Sequence, residues 1–559
     1  MNIAELFNAR VAMTPDAPAI IDGHRGRTRV FSYADLDEAV ARAAARLRGA
    51  GLEPGDTVFV FHAMSLELYI LLEAILRAGL VAMFIDPSMG RSGIERCLRK
   101  HPPAGFAGSP KAHVLRVLCR EVRHIEHKFC TRGILPGAID LSAATTTGLQ
   151  RVEPRSGGDA ALLTFTSGTT GPPKAAVRSH ELLLRQHAVL AESFPSRAGD
   201  IELTALPMFV LANLANGVVS LLPDANVRHP GSIDPQPVLE QLAAQRPTRI
   251  AASPAFLERL TEACSADDPQ LSSVDRIYTG GGPVFPRLVE HLGRVAPQAT
   301  VQIVYGSTEA EPIATVSHRG GCVSNTAAPR RGAGLLVGHP VDGIEVRIHR
   351  DCWGTPLGPY DEQGFAARCR GINEPGEIVV SGPHVLSGYL DGEGDAETKF
   401  DVENVAWHRT GDAGYLDELG RLWLLGRCSA RIENARGILY PFAVECIAQE
   451  FPEVKRAALV GWRGMCVLAV ELRKGSQQIS SSVLRKRARA LGVDAIEFYH
   501  KIPVDSRHNS KVNYAALTAL IEKRKLTSVQ RIREAVQELR SRACLDEVCA
   551  EGLPGGPPK

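Results

Sequence analysis

The stretch Leu162–Lys174, Leu-Leu-Thr-Phe-Thr-Ser-Gly-Thr-Thr-Gly-Pro-Pro-Lys, constrains this chain more than any other. Its apolar, β-prone lead-in from Ala161 to Phe165 reads as a strand, and the run that follows is small, hydroxylated and glycine-rich before a lysine closes it. A fold that contains this stretch must hold a buried strand with a loop delivered at its end. Such a loop presents backbone N–H groups and hydroxyls to an anion, because glycine lets the chain curl around oxygens that a Cβ would block. A plain surface turn draws on the same residues. A P-loop of the kinase or GTPase kind fails on spacing, since Gly171 is followed by Pro172, Pro173 and Lys174 rather than by Lys and Ser or Thr.

The rest of the chain supplies the setting. At 559 residues it is too long for one ordinary core, so two or more domains are expected. Lys and Arg (64) almost balance Asp and Glu (62), which argues against a nucleic-acid coat and for a small partner. The longest apolar candidates are interrupted, Val58–Ile85 by Glu67, Glu73 and Arg77, and Met208–Pro223 by Asn213 and Asn216, so no membrane span is expected. Met1–Ala12 carries Glu5 and lacks a basic start, which reads as no signal peptide. The twelve cysteines show no paired C-x-x-C framework and read as reduced thiols of a cytoplasmic protein. Cys119, His124, His127 and Cys130 have the types of a metal set, but their Lys/Arg/His/Glu-rich surroundings read as an amphipathic helix and its exit.

Up to residue 150, helical and β-rich patterns alternate. Ser32 is placed to cap a helix, Thr57–Phe61 reads as a buried strand after the Pro54-Gly55-Asp56 turn, a helix follows from about Ser65 to Ala78, and Leu80–Ile85 is again a strand. This rhythm predicts an α/β domain with a largely parallel sheet. Residues 141–160 read as a loop, and Ser179–Phe194 as a helix. Ser253 before Pro254 predicts a capped helix, taken as part of an apolar pocket wall. Asp275–Gly282 is a strand entering a glycine loop, and the strand Val301–Tyr305 runs into Gly306-Ser307-Thr308-Glu309, where Glu309 has two readings, metal carboxylate or helix N-terminal carboxylate. Residues 317–335 read as a long polar lid-like loop. The segments Ala457–Val460 and Met465–Leu472 are strand-like, and the chain after about residue 525 reads as a charged helix and a Gly/Pro tail.

Thr164–Lys174 resembles the phosphate loop of the acyl-adenylate-forming superfamily, the AMP-dependent synthetases and ligases. Four further motifs follow in that superfamily's order: Gly280-Gly281-Gly282, Tyr305-Gly306-Ser307-Thr308-Glu309, Thr410-Gly411-Asp412 with Arg427, and Pro503-Val-Asp-Ser-Arg-His-Asn-Ser-Lys511. The resemblance covers roughly residues 5–520. It implies an α/β fold with a large N-terminal multi-sheet adenylation domain (1–427), a smaller mobile C-terminal α+β domain (428–525) and a tail (526–559).

It also implies roles. Thr166, Ser167, Gly168, Thr169, Thr170, Gly171 and Lys174 would hold the phosphates of ATP, the three glycines would flank the adenine, and Tyr305 would pack on it. Thr308 would touch phosphate, Glu309 would hold Mg²⁺, Asp412 would accept from the ribose hydroxyls with Arg427 nearby, Phe209 would sit beside the acyl pocket, and Lys511 would bridge the acyl carboxylate and the α-phosphate. The implied substrate is a small carboxylic acid with a long chain, with association to other enzymes of its pathway as a further expectation. One departure stands out: Ser429 occupies the hinge position where most relatives carry Asp or Lys. The wording around Lys511, with Leu439-Tyr-Pro-x-x-Val-Glu and Ser429, is most similar to the β-lactone synthetases of bacterial olefin biosynthesis, in which the substrate's own β-hydroxyl closes on the activated carbonyl. The alternative is an acyl-CoA synthetase or acyl-AMP ligase that passes the acyl group to CoA or a carrier thiol. A nucleotide-binding scaffold without catalysis is disfavoured by the presence of Lys511, Glu309 and Asp412 together.

Overall fold

In the computed structural model the apolar lead-in is the strand Ala160–Thr166, and Lys174 is the first residue of the strand that returns antiparallel to it, Lys174–Ser179. The structure describes residues 1–24, 27–145, 148–166, 173–197, 199–266, 268–320, 332–473, 475–476, 481–505 and 511–524. Residues 167–172, Ser167 to Gly171 among them, lie outside that set, as do 321–331 of the expected lid and the expected tail.

The chain divides into two compact units. The first comprises Met1–Ala327, Leu335–Ser429 and Asp505–Lys511; the second comprises Ala328–Gly334, Ala430–Val504 and Val512–Lys559. Ser429 closes a stretch of the first unit, and Lys511, expected on the small domain, groups with the first.

The β-α-β rhythm of the first unit produces the parallel sheet that it predicts. Thr57–Phe61, Val81–Ile85, Gly105–Gly108 and Ala160–Thr166 run parallel, and the Lys174–Ser179 strand forms the antiparallel edge. Ser32 caps Tyr33–Gly49 through a full capping box with Asp35, satisfying N–H groups at the helix start. That helix and Leu66–Arg77 bury Leu36, Val40, Leu47, Leu72 and Ile75 in one core, which is where most of their stability arises.

A second sheet sets the positions of the motifs. Its parallel centre runs Val219–Leu222, Ile201–Thr204, Arg249–Ala252, Arg276–Gly280 and Thr300–Ser307, and Ala310–Arg319 turns back antiparallel on the last. A short pairing of Ala314 and Thr315 with Pro340 and His339 joins it to antiparallel strands, among them Val405–Leu416 and Leu422–Arg427. The second unit pairs Val454–Trp462 with Met465–Leu472 antiparallel and adds Ala495–Tyr499 in parallel, with helices Pro441–Ala448 and Tyr514–Arg524.

Several local expectations are corrected. The segment after Pro110 is not one amphipathic helix but two helical turns, Leu115–Leu118 and Arg120–His124, followed by the strand His127–Cys130. Among the described residues the metal-like set there is Glu95, Cys119 and Glu121, whose carboxylates already pair with Arg91 and Arg99. Ser253 stands at the cap of Pro254–Thr261 but its hydroxyl makes no cap bond; the Ser253 carbonyl instead accepts from the Phe256 and Leu257 N–H groups. That helix buries Phe256, Leu257 and Leu260 in the core and contributes no residue to the cavity that Phe209 lines. Residues 317–319 continue a strand instead of starting a loop.

Candidate active site

Two clusters in the first unit gather most of the described motif residues. The first is built on cross-strand neighbours. Asp412 and Arg427 face each other in the antiparallel pair Val405–Leu416 and Leu422–Arg427, and Arg427 Nε lies 3.2 Å from Asp412 Oδ1. The Tyr305 hydroxyl donates to the other carboxylate oxygen at 2.9 Å, and Thr410 Oγ1 accepts from the Asp412 N–H. Burial, with the Asp412 charge beside it, drives the Tyr305 phenol well above its ordinary range, so it remains a donor. Tyr305 sits next to a register shift at Gly306, which turns the strand end toward Thr308 and Glu309.

The second cluster surrounds Glu309. This residue lies between the strands Thr300–Ser307 and Ala310–Arg319, in a hairpin turn and not at a helix N-terminus, which overturns the bland reading of its carboxylate. The Tyr389 hydroxyl donates to Glu309 Oε1 at 2.6 Å. Lys399 and His408, both buried, are its electrostatic neighbours. Burial alone would raise the Glu309 carboxyl; His408, the Tyr389 hydrogen bond, the residue's own backbone N–H and Lys399 lower it to about 2. It is therefore an anion throughout the neutral range. Burial pushes the Lys399 ammonium down to about 8 against the pull of Glu309 and Asp395, and burial together with Lys399 pushes His408 down to about 3, leaving a neutral imidazole.

Lys174 belongs to the same group. Its Nζ lies 5.7 Å from the Tyr389 ring centre and donates to Glu397 at 2.6 Å. Gly394, with φ near +93°, gives passage to the lysine stem, which any Cβ there would overlap. Thr166 pairs with Lys174 across the hairpin, and Ser167, Gly168, Thr169, Thr170 and Gly171 lie outside the described residues.

Gly280 ends the strand Arg276–Gly280, where a Cβ would overlap the Val304 carbonyl of the next strand, and Gly281 and Gly282 follow in the turn. Phe209, on the helix Pro207–Asn216, lines an apolar cavity of about 90 Å³ with Phe7, Leu162, Leu190 and Met208. Arg178 and Glu311 also line it, and Arg178 donates to the Thr308 carbonyl at 3.1 Å, which places this cavity beside the Thr308–Glu309 turn. Lys511 pairs with Asp505: its carbonyl accepts from the Asp505 N–H at 2.8 Å, and its own N–H donates to Asp505 Oδ1 at 2.9 Å.

Tyr389, Lys399, His408 and Arg178 were not legible as site residues. His408 stands two positions and Lys399 eleven positions before Thr410, and a single lysine and a single histidine carry no pattern of their own. Their nearness to Glu309 comes from strand pairing between Lys399–Val402 and Val405–Leu416, in which Lys399 faces His408.

The AMP-binding enzyme family model matches residues 7–390. The chain belongs to that family. It is an adenylate-forming enzyme with an α/β fold. It is 32% identical over 558 residues to an olefin beta-lactone synthetase of Stenotrophomonas maltophilia, across 94% of this chain and 99% of the relative. It is 27% identical to a 2-succinylbenzoate–CoA ligase of Bacillus licheniformis, across 81% and 85%. Among solved structures, an O-succinylbenzoate coenzyme A synthetase from Bacillus subtilis, in complex with ATP and magnesium ion, superposes with a TM-score of 0.72 at 22% identity, covering 92% of this chain and 98% of the other.

Proposed function

We propose that this enzyme activates a long-chain β-hydroxy carboxylic acid with ATP and closes it to a β-lactone. In the first step a carboxylate oxygen attacks the α-phosphorus, an acyl–phosphate bond forms and pyrophosphate leaves. In the second, the substrate's β-hydroxyl oxygen bonds to the acyl carbon, its proton is released, and AMP departs. Intramolecular attack has a high effective concentration, so the protein chiefly holds the adenylate in a reactive conformer and keeps water out. The observation that carries this reading is the 32% identity to an olefin beta-lactone synthetase over almost the full length of both chains.

The described residues divide the work. Asp412 and Arg427, with Tyr305, form the ribose end, where an anionic acceptor flanked by two donors suits a diol. Glu309 fits Mg²⁺: a buried, ionised carboxylate is the hard oxygen donor that this cation combines with phosphate oxygens. Mg²⁺ at Glu309 would offset charge on the phosphates. Lys174 and Lys399 add cationic charge near the same carboxylate, and Lys511 supplies a point charge between two anions brought together. The cavity at Phe209 takes the hydrocarbon chain. A cytoplasmic setting is part of the proposal, and no helix among the described residues is long and apolar enough to cross a membrane.

Mass spectrometry of products from ATP, Mg²⁺ and a long-chain 2-alkyl-3-hydroxy acid, with and without CoA, tests the reading. Lactone and AMP without CoA are expected. A thioester formed only with CoA would favour the second reading, an acyl-CoA ligase, which the likeness to a 2-succinylbenzoate–CoA ligase supports. A separate expectation concerns nucleotide binding. Asp412→Ala removes a charged acceptor from the ribose site and should raise the KM for ATP by about 10- to 100-fold, the equivalent of hydrogen bonds to a charged group. Steady-state AMP release at varied ATP checks it.

A further inference from the structure

The cavity that Phe209 lines has an unexpected wall residue. Glu73, on the helix Leu66–Arg77, lies in it beside Leu76, Phe7 and Leu162, and the residue is 5% exposed. Its Oε2 has no hydrogen-bond partner among the described residues. Leaving a polar atom buried without a partner is costly, and proteins satisfy most such atoms. The helix gains nothing from a carboxyl at this position: its neighbours Leu72, Ala74 and Ile75 are core residues, and an aliphatic side chain would fill the same place without that cost. Burial holds the Glu73 carboxyl up at about 7, against the opposing charge of Arg77, so the group is substantially uncharged near neutrality. The Arg77 guanidinium is itself committed to Asp37.

An uncharged carboxyl both donates and accepts a hydrogen bond, and so does an alcohol. The cavity is also lined by Arg178 and Glu311, and Arg178 donates to the Thr308 carbonyl, near which the reacting carboxylate is expected. A hydrocarbon chain held in this cavity is in reach of both Phe209 and Glu73, which share its wall with Phe7, Leu76 and Leu162. We propose that Glu73 forms a hydrogen-bonding subsite in the acyl cavity that takes a hydroxyl carried on the hydrocarbon chain of the substrate, remote from the reacting carboxylate. The inference rests on the reading of this cavity as the acyl site. It adds a specificity element to a cavity whose other polar lining residues are Arg178, Gln186, His187 and Glu311: a chain without the oxygen leaves Glu73 Oε2 unpaired, and a chain with it completes the pair.

The test compares octadecanoic acid with a panel of monohydroxylated octadecanoic acids that differ in hydroxyl position. Binding to the full-length protein is measured by titration calorimetry, and AMP release with ATP and Mg²⁺ is measured in parallel. At least one hydroxylated isomer is expected to bind the unaltered protein about tenfold or more tightly than the saturated acid, the size of one good hydrogen bond to a buried group. Glu73→Leu should abolish or invert that ratio, and Glu73→Gln should retain part of it. Glu73→Leu is also expected to melt no lower than the parent, because it removes an unpaired polar atom; a marked loss of stability would assign Glu73 a structural role and overturn the proposal. Equal binding of all isomers, or a ratio unchanged in Glu73→Leu, would overturn it as well. Selective binding without AMP release would leave the subsite standing and count against the adenylation of these acids.

Discussion

Lys511→Ala is expected to lower acyl-adenylate formation by a factor of about 10²–10³ or more, with ATP binding largely kept. The attacking carboxylate and the α-phosphate are both anions, and their approach is opposed until a donor with full positive charge stands between them. A lysine does this as a point charge with three rotatable protons, which suits two oxygens that move during the step. Arginine, planar and bulkier, should restore little, so Lys511→Arg separates charge from geometry. The hydrogen bonds between Asp505 and the Lys511 backbone do not involve the lysine side chain, so truncation removes the charge and leaves these bonds in place. Pyrophosphate release reports the step, and a nucleotide titration reports binding. Equal activity of Lys511→Ala and the parent would remove the adenylation role assigned to this lysine.

Glu309→Gln is the second large effect. The substitution is close to isosteric and keeps an acceptor for the Tyr389 hydroxyl, so the hydrogen bond at 2.6 Å has a counterpart in the variant. What disappears is the negative charge beside Lys399. A drop of about 10- to 100-fold in AMP formation at low Mg²⁺, partly recovered by raising Mg²⁺, is expected, in keeping with the loss of affinity when a metal's carboxylate environment is weakened. A drop that Mg²⁺ leaves untouched would assign Glu309 to positioning rather than to the cation. The pH dependence has a definite sign. The folded-state carboxyl lies below the ordinary glutamate value, so its contribution to stability is fully present above about 4.5 and is lost as pH falls through about 2. An acid limb of activity near pH 6 would belong to another group.

The sequence discloses those parts of this enzyme that depend on neighbours in the chain. The Ser32 cap, the strand Thr57–Phe61 and the strand ahead of the glycine-rich stretch are decided by periodicity and by local hydrogen bonding, and each appears within a residue or two of its expected place. Asp412 and Arg427 were assigned to one site by resemblance, and their meeting is a matter of strand register that periodicity does not reveal. Tyr389, Lys399 and His408 show the limit more plainly. Their shifted titration comes from burial around Glu309, and burial is a property of the packed molecule. Glu73 is the converse case. In the sequence it counted only as an interruption of an apolar run, and the cavity alone makes it a wall residue with chemistry. The charged segment at Leu115–His124 was misread because its polarity fits a helix face, whereas two turns and a strand satisfy the same residues.

The hairpin that carries Lys174 has a consequence for how such enzymes tolerate change. Its register runs from Leu163 opposite Val177 to Thr166 opposite Lys174, and side chains on a strand alternate between faces. One residue inserted within Lys174–Ser179 would turn the lysine away from Tyr389, whereas residues added between Thr166 and Lys174 leave the ladder, and so the aim of the lysine, as it is. Strand length thus sets the aim of the lysine, whereas the stretch between Thr166 and Lys174 answers to a different constraint, the phosphates its residues are proposed to hold.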